Sequence, residues 1–116
     1  MSKKNRRKLT HRAIAPPSSR LLSRLGEADA LMRDKQWDEA LEMLESLDRR
    51  YPNRVEVLTA LANVFCELHD TRHYQHACER LLRIDPDNAD AALGLAGAYA
   101  VNLRPTLALR AFRRFL

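Results

Sequence analysis

The stretch CELHDTRHYQHAC, from Cys66 to Cys78, holds both cysteines and three of the four histidines of this chain. Cysteine and histidine are the usual donors of a zinc centre, which needs about four ligands converging within roughly 2.0–2.3 Å of one point. The same stretch could equally be the bend of a helical hairpin. The choice rests on where each side chain points, and so on the elements that carry them.

Other chemistry finds less support. Asp85, Asp87 and Asp90 suggest a calcium loop, but Pro86 interrupts them and no glycine turns the chain there. They read as a turn followed by a helix cap. No Gly-rich phosphate loop and no persuasive Ser-His-Asp order is present. We therefore expect no enzyme, no cofactor and no catalytic residues.

The composition is that of helices. Hydrophobic residues make up 46% of the 116, with only 3 Gly and 5 Pro. Alanine, leucine, arginine and glutamate lose little freedom in a helix, and β-branched residues are scarce. Two cysteines do not make a disulfide framework and fit a reducing compartment. No apolar run approaches the twenty or so residues that would span a membrane. The basic N-terminus has no apolar stretch behind it, so it is not read as a secretory signal. The expectation is a cytoplasmic protein, or a nuclear one if the source is eukaryotic.

Charge is unevenly spread. Residues 1–20 hold seven of the 20 basic side chains (Lys3, Lys4, Arg6, Arg7, Lys8, Arg12 and Arg20) and none of the 15 acidic ones. The rest is mildly acidic. Residues 1–18 read as a disordered basic tail, because they cannot bury enough apolar surface to offset ordering. Such a tail would attract RNA, DNA, a ribosome or anionic lipid through charge, or serve as a nuclear-import signal. No aromatic is interleaved to stack on bases, so sequence-specific readout is not expected.

Beyond the tail, the chain repeats with a period of 34 residues. Ala28, Ala62 and Ala96 are followed three residues on by Leu31, Phe65 and Tyr99. Ala40, Tyr74 and Ala108 come next, then Leu44, Cys78 and Phe112, then Leu47, Leu81 and Phe115. Pro52 and Pro86 stand one period apart. Each period reads as two helices, giving 19–34, 37–50, 54–69, 71–84, 88–102 and 105–116. Ser18 or Ser19, Asp70, and Asp87 or Asn88 are the expected caps. Asn53 with Glu56 suggests a capping box, and Pro105 suits a first turn. One amphipathic hairpin cannot cover both of its apolar faces, whereas stacked hairpins can.

These marks resemble the tetratricopeptide repeat family: the small residue followed by an aromatic (Ala62/Phe65, Ala96/Tyr99), the second-helix pairs Ala40/Leu44 and Ala108/Phe112, and the closing prolines. The resemblance covers residues 21–116. It implies an all-α, right-handed superhelical stack of three hairpins spanning 19–116, with repeats at about 21–54, 55–88 and an incomplete 89–116. Glu27 and Arg24 depart from the pattern, which usually has apolar residues there. Tyr74 replaces a small residue, so the second hairpin is expected to be splayed.

The resemblance also implies a protein-interaction module that takes a peptide or helix in a concave groove lined by the first helix of each hairpin. Mapped onto this chain, the groove residues are Leu22, Leu25, Asp29, Met32 and Arg33, then Glu56, Thr59, Asn63, Cys66 and Glu67, then Asp90, Leu93, Gly97, Ala100 and Val101. Relatives that grip chaperone C-termini use several cations. Leu93, Gly94 and Gly97 stand where the third-repeat ones would be, so no such clamp is expected. Four acids against Arg33 favour an apolar or basic partner segment. The alternative is a nucleic-acid- or ribosome-associated adaptor anchored by the tail. Arg-Arg-Phe-Leu at the C-terminus leaves apolar residues without a covering helix, which suggests either a longer protein or an end that docks on a partner or a second copy.

On this frame the opening stretch separates. Cys66 lies on the groove side of a first helix, His69 to Thr71 form the bend, and Cys78 takes the core position of Leu44. The cysteines face different ways, so the expectation is a polar bend and a buried thiol, with neither metal nor disulfide.

Overall fold

The computed structural model describes residues 16–101, and within them the chain is all helix and turn. The helices are α1 (Ser19–Arg33), α2 (Trp37–Arg50), α3 (Val55–Glu67), α4 (Thr71–Ile84) and α5 (Ala89–Val101). They match the expected elements to within a residue or two at their ends. The basic tail residues Lys3, Lys4, Arg6, Arg7, Lys8 and Arg12, and the expected helix 105–116 with Ala108, Phe112 and Phe115, lie outside the described residues.

The 34-residue period recurs in the backbone itself. Helices α1 and α3 end in the same closure. Gln36 N–H donates to the Leu31 carbonyl (2.9 Å) and Lys35 N–H to Met32 (3.0 Å). Asp70 N–H donates to Phe65 (2.9 Å) and His69 N–H to Cys66 (3.1 Å). This crossed pair satisfies carbonyls that a helix end otherwise leaves unpaired. It needs a left-handed residue, and Lys35 (φ 60°) and His69 (φ 57°) supply it. The exits of α2 and α4 also correspond, with Tyr51 N–H on Leu47 and Asp85 N–H on Leu81, both at 2.7 Å.

Three of the expected caps form. Ser18 Oγ accepts from Leu21 N–H (3.2 Å), Asp70 from His73 N–H (3.2 Å) and Asn88 from Ala91 N–H (3.0 Å). The capping box at Asn53 does not. Asn53 is itself left-handed (φ 59°) and belongs to the turn, so Arg54 becomes the N-cap residue without a side-chain cap bond. Glu56 is drawn to the Arg54 guanidinium instead, at 3.0 and 3.2 Å.

The core follows the period. Ala28, Ala62 and Ala96 are buried at the helix crossings, as are Leu44 with Cys78 and Leu47 with Leu81. Phe65 is buried, while Leu31 and Tyr99 are half-buried. Helix α3 is the central element. It buries Val57, Leu58, Leu61, Ala62, Val64 and Phe65, more than one face can hold, because α2 covers one side and α4 the other. A polar tie joins the first hairpin to the second: Arg80 of α4 donates twice to Asp48 of α2, at 2.7 and 2.9 Å. This fork fixes geometry as well as charge, and it holds the Arg80 guanidinium above its ordinary value against the effect of burial.

The expected splay of the second hairpin is not found. Helices α3 and α4 make the most extensive pairing among the described elements. Tyr74 finds its room elsewhere, over Gly94 of α5. A Cβ at Gly94 would collide with the Tyr74 hydroxyl and lie 2.9 Å from its Cζ and 3.3 Å from Cys78 Sγ. The missing side chain on one helix thus receives the oversized one on another.

Four outcomes follow for stability. Lys35→Gly and His69→Gly should each raise it by about 0.5–1 kcal/mol, since glycine carries no left-handed penalty; denaturant melts check this. Gly94→Ala should lower it by about 1–3 kcal/mol. Gly26→Ala and Gly97→Ala, where a Cβ meets nothing within 4 Å, should raise it by about 0.5–1 kcal/mol. Tyr74→Ala should remove the penalty of Gly94→Ala in a double-mutant cycle.

Candidate functional site

The Cys/His stretch is resolved by the α3–α4 bend. His69 occupies the left-handed turn position. His73 turns back across the bend, its ring stacked on Phe65 of α3 (centroids 5.1 Å apart, planes at 25°). Its Nδ1 lies 2.6 Å from Asp70 Oδ2. His76 is exposed on α4. Among the described residues, no group of three or more His, Cys, Asp or Glu side chains is placed to hold a metal.

Asp70 therefore has two roles, capping α4 and holding His73. Burial pushes its carboxyl up, but the His73 N–H, the His73 ring and the Arg72 charge outweigh this and leave it below its ordinary 3.8. A depressed carboxyl stabilises the fold above its unfolded value, and that contribution is lost as pH falls through the folded one.

The two cysteines part as their helix positions require. Cys66 is exposed and Cys78 is buried, and both are free thiols. Burial pushes the Cys78 thiol up, partly offset by a hydrogen bond with the Tyr74 hydroxyl. Burial and then the neighbouring Cys78 push Tyr74 up to about 12.

The candidate interaction surface is the set of first-helix faces on α1, α3 and α5. Leu22, Asp29, Arg33, Thr59, Asn63, Cys66, Glu67, Asp90, Leu93, Ala100 and Val101 are exposed, and Leu25, Met32, Glu56 and Gly97 are half-buried. Three large apolar side chains stand out: Leu22 and Leu93 are each 55% exposed and Val101 is 68% exposed. Its charge is less open than the sequence suggests. Asp29 lies 3.8 Å from Arg33, and Glu56 is taken by Arg54. Glu67 and Asp90 carry the free negative charge. The Arg54–Glu56 pair was not foreseen, because an adjacent arginine is no signal until the turn aims it.

The departures at Arg24 and Glu27 have a structural reading. They pair with each other at 3.3 Å on the outer side of α1, which no described helix precedes. A concavity of about 720 Å³ lies between α1 and α2 and includes Arg24 in its lining.

The class defined by this architecture is an all-α helical-repeat module. A family model for the tetratricopeptide repeat matches residues 21–64, which take in most of α1, all of α2 and most of α3. No curated protein matches the chain. Among the described residues no helix is long and apolar enough to cross a membrane.

Thiol chemistry distinguishes the two cysteines. In the native protein one thiol should react with a disulfide reagent, and the second only after unfolding. Cys66→Ser should leave the native protein unreactive, and Cys78→Ser should leave its native reaction unchanged.

Proposed function

We propose that the chain is a protein-interaction module of the tetratricopeptide-repeat type, taking a peptide or helix of a partner protein along the faces of α1, α3 and α5. The observation that carries this is the placement of exposed apolar surface. Leu22, Leu93 and Val101, the large hydrophobic side chains most exposed among the described residues, all fall on positions that the family resemblance assigns to the groove. Buried apolar anchors supply most of the affinity at such surfaces. Asp90, one turn before Leu93 on α5, and Glu67 at the end of α3 add negative charge to the same face, so the partner segment combines apolar anchors with a basic residue. The free thiols fit a reducing compartment, the cytoplasm or, in a eukaryote, the nucleus.

A second reading has its own support in the charge segregation. Seven cations and no acid in residues 1–20 suit a nucleic-acid- or ribosome-associated adaptor whose tail supplies affinity through phosphate contacts.

Capture from nuclease-treated lysate separates the two. Leu22→Asp combined with Leu93→Asp should leave the melting temperature unchanged, since both side chains are exposed. It should also remove the proteins retained by the wild-type chain. An unchanged capture profile would reject the groove. Loss only on deletion of residues 1–18, with RNA binding that falls steeply as salt rises, is the signature of the adaptor.

A further inference from the structure

The concavity between α1 and α2 is a different surface from the groove. Its lining is ordered by charge along its length. Arg20 and Arg24 come from the first turns of α1, and Arg50 from the last turn of α2. Glu39 and Glu42 come from the first turns of α2. The short connection at residues 34–36 makes the two helices antiparallel neighbours. The start of α1 therefore lies beside the end of α2, and the three arginines share one end. The glutamates stand at the other end, roughly 12–16 Å away along α2 at 1.5 Å per residue. Between them the floor is apolar, with Leu31 and Met43 half-buried and Leu47 buried beneath.

This face points away from the second hairpin. Asp48, which holds Arg80 of α4, is two residues from both Ser46 and Arg50. At 3.6 residues per turn that places it about 160° around α2 from those two, and about 100–180° from the other lining residues of the helix. The basic end is also held in place. Arg50 lies over the Tyr51 ring, 5.9 Å from its centroid, and Arg24 is steadied by Glu27.

We propose that this concavity is a self-docking surface, on which two copies of the chain pair about a twofold axis through the apolar middle. A twofold contact lays each patch on itself in reverse. The basic end of one copy then meets the acidic end of the other, twice, and the apolar floors face each other. Charge complementarity selects this occupant over the chain's own N-terminal segment. Among charged side chains, residues 1–18 carry cations only; they could satisfy the acidic end but would meet the arginines with like charge. A second copy satisfies both ends. The patch is small and half polar, so the pair is a weak one, below the area typical of permanent dimers, and it weakens with salt.

The test uses the full-length chain in sedimentation velocity from about 5 µM to about 1 mM, a span that covers weak association. A monomer–dimer equilibrium is expected for the wild type at low salt, and a monomer throughout overturns the proposal. Two charge-reversed chains sharpen it: R20E/R24E/R50E, whose patch is all acidic, and E39K/E42K, whose patch is all basic. Each alone should be monomeric. Mixed one to one they should form a heterodimer at least as tight as the wild-type pair, because each patch now opposes its complement at both ends. Thermal melts confirm that both variants are folded. If the variants still self-associate, or the mixture does not pair, the contact lies elsewhere and the proposal falls. Deleting residues 1–15 should leave the wild-type dimer in place, and its loss would transfer the concavity to that segment.

Discussion

The structure depends on the double burial of α3. A helix in a two-layer fold needs one apolar stripe, but α3 carries apolar residues on two sides, and neither can be left in water. Each large side chain buried in such a place contributes roughly 1.5–3 kcal/mol. A single hairpin would cover only one side. The chain meets the constraint by laying α2 against one flank and α4 against the other, and everything else follows from that stacking. Alanines sit at the crossings because the helices must approach closely. The Asp48–Arg80 fork bridges the outer edges of the same contact.

Stacking of this kind leaves two kinds of surface. The first-helix faces remain open along the length of the array, and Leu22, Leu93 and Val101 stand there in water. Among the described residues the α1–α2 end faces no further hairpin either. The two surfaces differ in character. The long face is apolar with free acids towards α5, while the end face is graded from basic to acidic across an apolar floor.

Much of this was legible in advance, and the reasons are local. Helix boundaries followed from prolines, caps and apolar spacing, which act within a few residues. Cys78 was assigned to the core because Leu44 stands one period before it. The failures were equally specific. The capping box at Asn53 was a correct pattern in the wrong backbone state. The left-handed turns at Lys35 and His69 carry no glycine to announce them. The splay expected from Tyr74 overlooked Gly94, twenty residues on. The groove acids looked free because nothing in the sequence aims Arg54 at Glu56.

By itself the sequence determined the all-helical class, the 34-residue period, the cap at Asp70, the capping sites at Ser18 or Ser19 and at Asp87 or Asn88, and the opposite fates of Cys66 and Cys78. Helices and caps are set by spacing along one or two turns of chain, and the core positions by recurrence one period on. Only the tertiary structure decided that Tyr74 rests over Gly94, that Arg80 reaches Asp48, that His73 stacks on Phe65, and that arginines from α1 and α2 gather at one end of a shared concavity. Those are meetings between helices, set by how two surfaces of fixed shape interlock. A period in sequence says that two surfaces meet without saying which side chains face one another across them.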